Sequence, residues 1–110
     1  MDKQKLQILL DSLLNRSVKG ELNWKTTGNP YTYLLTLKDS SISVSKESAT
    51  VELALRNERG EVIERTEIIW NDELHQKASK LFDLSRAKAR NEGDLIDRVI
   101  EQLKPDSIAA

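Results

Sequence analysis

The chain has 110 residues, with 17 lysines and arginines against 18 aspartates and glutamates and a net charge of -1. This length fits one domain, and the balanced charge excludes a general electrostatic attraction to nucleic acid or to an anionic membrane. The sequence contains no cysteine, which excludes disulfides and thiolate chemistry and fits a reducing compartment. It has neither the apolar run of roughly 18 residues that a membrane span needs nor the apolar region of a signal peptide. We expect one cytoplasmic domain over residues 1–110, without membrane contact and with a frayed tail at 106–110.

The first segment has the spacing of an amphipathic helix, and Lys19-Gly20 marks its expected end. Ile8 falls on the opposite side of this helix from the apolar stripe, where a polar residue would be expected. The stripe recurs at the i, i+3, i+4, i+7, i+8 spacing and consists of Leu6, Leu9, Leu10, Leu13 and Leu14.

From Glu21 onward the apolar period changes to two, which is typical of strands buried on one face. Turn-forming segments separate the runs at 28–30, 39–41, 46–48 and 57–60, and Gly60 can supply the positive φ of a hairpin loop. In the last strand, residues 62–63 and 68–69 cannot all face one side, which predicts a bulge or a change of burial. The alternating apolar positions are Leu22/Trp24, Tyr31/Tyr33/Leu35/Leu37, Ile42/Val44 and Val51/Leu53/Leu55.

Two helices are predicted after Trp70. Asn71 or Asp72 is a suitable N-cap for the longer one, and Gly93 is its expected end. Asp94 is the expected cap of a short third helix that stops before Pro105. We expect both apolar stripes to face the core. They comprise Leu74, Ala78, Leu81, Phe82, Ser85 and Ala89 in the second helix, and Leu95, Ile96, Val99, Ile100 and Leu103 in the third.

The predicted fold class is α+β. It has an N-terminal helix, an antiparallel four- to five-stranded meander sheet, and two C-terminal helices packed on one sheet face. No repeat, low-complexity stretch or linker divides the chain.

The sequence lacks a Gly-rich phosphate loop, a G-x-S-x-G elbow and an H-E-x-x-H metal motif. His75 could act as a general base, or as a metal ligand with Glu73, but such a site needs further ligands or a positioned partner. Strand-borne acids such as Glu52, Glu64 and Glu67 could form a carboxylate site, but they are also typical of a solvated sheet face. We predict no catalytic residue, no metal site and no cofactor.

The second helix carries Lys77, Lys80 and Lys88 on one edge of its apolar stripe, with Arg86 and Arg90 on the other edge. A basic helix can lie along phosphates, so Lys77, Lys80 and Lys88 are the candidates for nucleic-acid contact. Long cations that flank a buried stripe are also the ordinary arrangement on a solvated helix. The net charge of -1 favours the solvated interpretation.

Three apolar residues lie outside the predicted core positions: Ile8, Leu34 on the polar sheet face, and Leu84. Single exposed apolar residues are normal, but three on separate elements can contribute to a contact surface, of which a homodimer seam is the commonest use. We name Ile8, Leu34 and Leu84 as candidate protein-interface residues.

The aromatic residues concentrate around the sheet, where exposed rings would favour a base-stacking or peptide-binding platform. Tyr31 and Tyr33 share parity with Leu35 and Leu37, so core packing is the favoured interpretation. A free strand edge could still accept a strand from a partner.

The arrangement of Trp24, the hairpin Gly60-Glu61-Val62-Ile63 and the helical segment Leu81-Phe82-Asp83-Leu84-Ser85-Arg86 resembles small bacterial α+β proteins without assigned function. This resemblance implies no active residue and no partner.

The missing catalytic chemistry and the off-stripe apolar residues favour a non-enzymatic, homodimeric protein-binding module of inhibitor, immunity-protein, antitoxin or adaptor type. One alternative is a nucleic-acid-binding protein that uses the basic second helix. The other is a small carboxylate- or metal-dependent enzyme.

Overall fold

The computed structural model describes residues 1–104, apart from the side chains of residues 92–94. The described chain has an N-terminal helix, a five-stranded antiparallel sheet and two C-terminal helices, which confirms the predicted α+β class. The predicted tail at 106–110 lies outside the described residues. The elements are α1 (Lys3–Val18), β1 (Lys25–Thr26), β2 (Thr32–Thr36), β3 (Ser40–Glu47), β4 (Thr50–Asn57), β5 (Val62–Ile68), α2 (His75–Ala89) and α3 (Glu92–Leu103).

The strands lie in sequence order, β1-β2-β3-β4-β5, as their short connections predict. β3 and β4 pair along their full length, from Ser40 opposite Asn57 to Glu47 opposite Thr50. In the described residues no helix is long and apolar enough to cross a membrane.

The β4–β5 hairpin is held by Asn57 and Gly60. The side chain of Asn57 accepts hydrogen bonds from the backbone N–H groups of Arg59 and Glu61, both at 3.0 Å. Gly60 has a φ of 82°, which is the left-handed conformation expected for it. The turn chemistry of this hairpin is therefore confirmed.

One face of the sheet is apolar, and α1 and α2 cover it. The alternation of side chains along each strand puts Leu53 on this face and its neighbour Glu52 on the other. Among the described residues no helix covers the other face, which is lined by polar side chains such as Ser43 and Arg56. The residues of the core cluster are Leu6, Leu10, Leu13, Leu22, Trp24, Tyr33, Leu35, Ile42, Val44, Val51, Leu53, Ile68, Leu74, Ala78, Leu81 and Phe82.

Local features define both ends of α1, and its end at Val18 agrees with the predicted stop at Lys19-Gly20. The Oδ1 atom of Asp2 accepts a hydrogen bond from the backbone N–H of Lys5 at 2.9 Å, which caps the helix. At the other end, Gly20 has a φ of 72°. The Nε1 atom of Trp24 donates to the Oγ atom of Ser17 at 3.1 Å. This bond satisfies the one polar group of a ring that is otherwise buried in the core.

Two ion pairs join α1 to the start of α2. The Nζ atom of Lys3 lies 2.9 Å from Oε1 of Glu73, and Nζ of Lys77 lies 2.7 Å from Oδ1 of Asp11. The hydrogen bond to Glu73 raises the pKa of the Lys3 ammonium above its usual value. The ammonium is charged at neutral pH in either case, so this shift supplies no acid–base chemistry.

β5 contains the predicted irregularity. The register shifts between Leu55 and Arg56 of β4, and Ile63 is the extra residue of the resulting bulge. Val62 and Ile63 are exposed, whereas Ile68 is buried at the other end of the strand. A bulge lets the strand keep Ile68 in the core while its first residues turn outward.

β5 is also an edge of the sheet. Its central segment carries three charged residues, Glu64, Arg65 and Glu67. Two residues after the end of the strand, Trp70 is 71% exposed. The opposite edge, β1, has only two residues. Both edges are therefore poor templates for a further strand, one because of charge and bulge and the other because of length.

The start of α2 differs from the prediction. The helix begins at His75 with Leu74 as its N-cap, which makes no side-chain capping bond, so the predicted cap at Asn71 or Asp72 is wrong. Oδ1 of Asp72 instead accepts a hydrogen bond from the N–H of Leu74 at 2.8 Å. Asp72 therefore shapes a turn that precedes the helix.

Tyr31 does not belong to the core. It is 64% exposed, whereas Tyr33 is buried, and Leu37 at the other end of the run is also exposed. The Oδ1 atom of Asn29 accepts a hydrogen bond from the N–H of Tyr31 at 2.8 Å. Tyr31 is thus part of a turn that ends before β2, and strand parity does not apply to it.

Candidate protein-interaction site

Two residues, Arg90 and Asn91, separate α3 from α2. α2 ends at Ala89, and Asn91 has left-handed backbone angles (φ 51°, ψ 41°), which asparagine tolerates better than most residues. The carbonyl oxygen of Asn91 accepts a hydrogen bond from the N–H of Leu95 at 2.9 Å, which is a first-turn hydrogen bond of α3. The predicted break at Gly93 and cap at Asp94 are wrong, because both residues lie within α3.

The apolar stripe of α3 does not face the core, and the prediction that it does is wrong. Its five large aliphatic side chains are between 43% and 73% exposed, whereas Leu81 in the stripe of α2 is fully buried. α3 contacts the described chain mainly through α2. The stripe consists of Leu95, Ile96, Val99, Ile100 and Leu103.

The width of the sheet explains this exposure. Five strands about 4.8 Å apart present an apolar face roughly 24 Å wide, and two helices about 10 Å in diameter cover such a face. α1 and α2 already occupy it. A third amphipathic helix therefore has no apolar sheet surface left to pack on. Counting helices against strands is the sequence signal that could have identified α3 as the exposed one.

The stripe forms one continuous surface. At about 100° per residue, its five side chains span an arc of about 140° on one side of α3. Arg98 and Glu101 lie on the other side, and Asp97 lies between Glu101 and the edge of the stripe at Ile100; all three are exposed. The Nζ atom of Lys104 lies 3.1 Å from Oε2 of Glu101 at the end of the helix.

This arrangement is suited to contact with another protein. An isolated helix of 12 residues is marginal in water, and packing of its apolar face supplies most of its stability. An amphipathic helix can lay such a face into an apolar groove or against a second helix. Membrane-surface helices carry mostly lysine and arginine on their polar side, whereas Asp97 and Glu101 balance Arg98 and Lys104 here.

The three predicted interface residues lie on separate elements. Ile8 is 61% exposed on α1, and Leu84 is half-buried on α2. Leu34 is half-buried on the uncovered face of the sheet, so the sheet separates it from the other two. These residues do not form one continuous surface, and their role in an interface stays a prediction.

The three candidate lysines for nucleic-acid contact are not equivalent. Lys77 is paired with Asp11 of α1, while Lys80 and Lys88 are exposed. On the other edge of α2, Nη2 of Arg90 donates to the carbonyl oxygen of Pro30 at 3.1 Å, and its guanidinium lies 5.7 Å from the ring centre of Tyr33. Part of the positive charge of α2 therefore holds the fold together.

His75 makes a structural contact. Its Nε2 atom lies 2.7 Å from the carbonyl oxygen of Ala49 in the β3–β4 turn. Because a carbonyl oxygen can only accept, Nε2 carries the proton and is not available as a metal ligand or base in this arrangement. Among the described residues, no group of three or more histidine, aspartate or glutamate side chains is placed to hold a metal ion.

The three sheet acids are divided between the two faces. Glu52 and Glu67 are cross-strand neighbours on the uncovered face, with Nε of Arg65 at 3.5 Å from Oε1 of Glu52. Glu64 lies on the other face of the sheet, where it contacts the amino group of Met1. The uncovered face forms an open depression of about 780 Å³ lined mainly by hydroxyl and charged groups. Arg56 spans part of it, since its Nη1 donates to Oγ of Ser43 at 2.8 Å.

Comparison with known proteins gives no family for this chain. No protein-family model matches it, and no curated protein and no solved structure is significantly similar to it. The exposed stripe of α3 is therefore the feature of this chain that most directly indicates a function.

Proposed function

We propose that this protein is a non-enzymatic protein-binding module that contacts its partner through the stripe of α3. The observation that carries this proposal is the exposure of five large aliphatic side chains on one face of a single helix. A large contiguous apolar patch on the surface of a domain marks an interaction site more often than scattered single residues do. The stripes of α1 and α2, which have the same spacing, are covered.

The stripe has the spacing of a helix that binds in a groove. Ile96, Val99, Ile100 and Leu103 occupy positions i, i+3, i+4 and i+7, which are the usual anchors of this mode of recognition. The complementary surface is an apolar groove or another amphipathic helix. A small inhibitor, immunity protein, antitoxin or adaptor fits a domain built in this way. A cytoplasmic location also fits, because the chain has no cysteine to protect or to oxidise.

Affinity capture with two matched variants tests the proposal. The tagged protein, Ile96→Glu and Ile8→Glu are each incubated with nuclease-treated extract of the source cells. Ile96 and Ile8 are similarly exposed, at 58% and 61%, but only Ile96 belongs to the stripe. We expect the parent protein and Ile8→Glu to retain the same partner protein at defined stoichiometry, and Ile96→Glu to lose it. Equal recovery by all three proteins would contradict a contact through α3.

The two alternatives have less structural support. Nucleic-acid binding would use Lys77, Lys80 and Lys88, but the Asp11 carboxylate already neutralises Lys77. An enzyme would use His75 or the sheet acids, but His75 Nε2 is bonded to a backbone carbonyl and Glu64 lies apart from Glu52 and Glu67.

A further inference from the structure

The stripe of α3 is complementary to itself when the helix direction is reversed. Ile96 and Leu103 lie seven residues apart, and Val99 and Ile100 lie midway between them. A two-fold axis that passes between Val99 and Ile100 places Ile96 of one copy opposite Leu103 of the other. It also places Val99 opposite Ile100. Every large aliphatic side chain in these four layers then meets another one.

The charges beside the stripe agree with this arrangement. Asp97 and Lys104 are also seven residues apart, and both lie on the edge of the stripe next to Ile100. Under the same two-fold axis, Asp97 of each copy lies within about 3 Å, measured along the helix axis, of Lys104 of the other copy. Lys104 is 54% exposed in its pair with Glu101, and such an exposed pair contributes little, so the lysine can also reach across. The dipoles of antiparallel helices oppose each other, which is favourable.

From these two relationships we infer that the stripe of α3 binds α3 of a second copy of this chain, antiparallel across a two-fold axis. The inference rests on the proposed function of α3 as a contact surface and names its occupant. A parallel pair is disfavoured because the body of each copy is joined to the N-terminal end of α3. The two bodies would then meet at the same end, whereas an antiparallel pair places them at opposite ends.

The area of the stripe sets the expected strength. The four side chains of these layers each expose on the order of 100 Å², so a pair of helices buries roughly 800 Å² in total, which is below the size of a standard specific interface. The dimer is therefore weak and depends on concentration, with a dissociation constant on the order of micromolar.

Sedimentation equilibrium over a wide concentration range tests whether α3 binds a second copy of the chain. We expect the full chain and Ile8→Glu to shift from monomer to dimer, and Ile96→Glu and Leu103→Glu to remain monomeric at every concentration. Because all three positions are exposed, none of these changes should unfold the protein. A dimer that persists in both stripe variants overturns the inference.

Disulfide trapping tests the direction, since the chain has no cysteine of its own. Ile96→Cys and Leu103→Cys are prepared, one of them with a longer tag, and are oxidised alone and mixed. The antiparallel pair predicts a cross-link between the two different variants in the mixture and almost none in either variant alone. Cross-linking of each variant with itself, at least as fast as in the mixture, overturns the antiparallel arrangement.

These outcomes are distinct from failure of the proposed function. If the protein is a strict monomer but captures a different protein, and Ile96→Glu loses this capture, self-association is overturned. The proposal that α3 is the contact surface then stands. A strict monomer whose capture is unchanged by Ile96→Glu overturns both proposals.

Discussion

His75 and Ala49 lie 26 residues apart in the chain, and the Nε2 atom of the histidine is 2.7 Å from the carbonyl oxygen of the alanine. The contact ties the first residue of α2 to the turn between β3 and β4, which are the two longest strands. The single histidine of the protein therefore has a structural role.

His75→Ala should therefore lower stability and leave association unchanged. The loss of one such hydrogen bond costs about 0.5–1.5 kcal/mol of the free energy of unfolding, measured by urea denaturation. Gln76→Ala, at the exposed neighbouring position, is the control and should change stability by less than about 0.5 kcal/mol. A variant at His75 that is as stable as the parent would contradict the contact with Ala49.

Substitution of Gly60 and of Gly28 distinguishes the effect of backbone conformation from the effect of packing. A Cβ atom added at either position meets nothing within 4 Å, but only Gly60 of these two has a positive φ, at 82°. Gly60→Ala should cost about 1 kcal/mol, because an L-residue is strained in this conformation. Gly28→Ala should be neutral or stabilise by about 0.4–1 kcal/mol, because it restricts the unfolded chain. Equal effects of the two substitutions in thermal unfolding would mean that the hairpin does not hold Gly60 in this conformation.

Leu81 and Leu103 show the difference between a covered and an uncovered stripe. Leu81 is fully buried and Leu103 is 73% exposed. Leu81→Ala should lower the free energy of unfolding by about 2–5 kcal/mol, whereas Leu103→Ala should change it by less than about 0.5 kcal/mol. The comparison is made by urea denaturation at a protein concentration where the parent chain sediments as a monomer. A large loss at Leu103 under these conditions would place α3 in the core.

The two tryptophans report on separate environments. Trp24 is 1% exposed and Trp70 is 71% exposed. The tryptophan fluorescence of the Trp24→Phe variant should lie at long wavelength and be quenched efficiently by acrylamide, because only the exposed Trp70 remains. Trp70→Phe should show blue-shifted emission that is largely protected from the quencher. Similar quenching of the two variants would be inconsistent with the burial of Trp24.

Much of the fold follows from local patterns in the sequence. The period of two identifies the buried faces of β2, β3 and β4, because side chains in a strand alternate between the faces whatever the surroundings. Asn57 and Gly60 predict their turn because few other residues tolerate it. The alternation between faces does not apply to Tyr31, because β2 begins only at Thr32. Local spacing gave no sign of where β2 begins.

The candidate site could not be predicted in the same way. Spacing shows that α3 has an apolar stripe, but the stripe of α2 has the same spacing and is buried. Whether a stripe is covered depends on how much apolar surface the rest of the chain offers, which is a property of the whole fold. Ile8, Leu34 and Leu84 are candidates because each departs from its local pattern. The apolar residues of α3 follow the helical spacing, so a search for departures from the pattern does not find them.

The residues of the edge strand β5 oppose the addition of a strand from another molecule. A long, flat and apolar edge would let molecules add strand to strand without limit and form filaments. The bulge at Ile63 twists this edge, and Glu64, Arg65 and Glu67 place charges along it. The edge of the sheet is therefore protected against strand addition by its own residues, independently of what contacts α3.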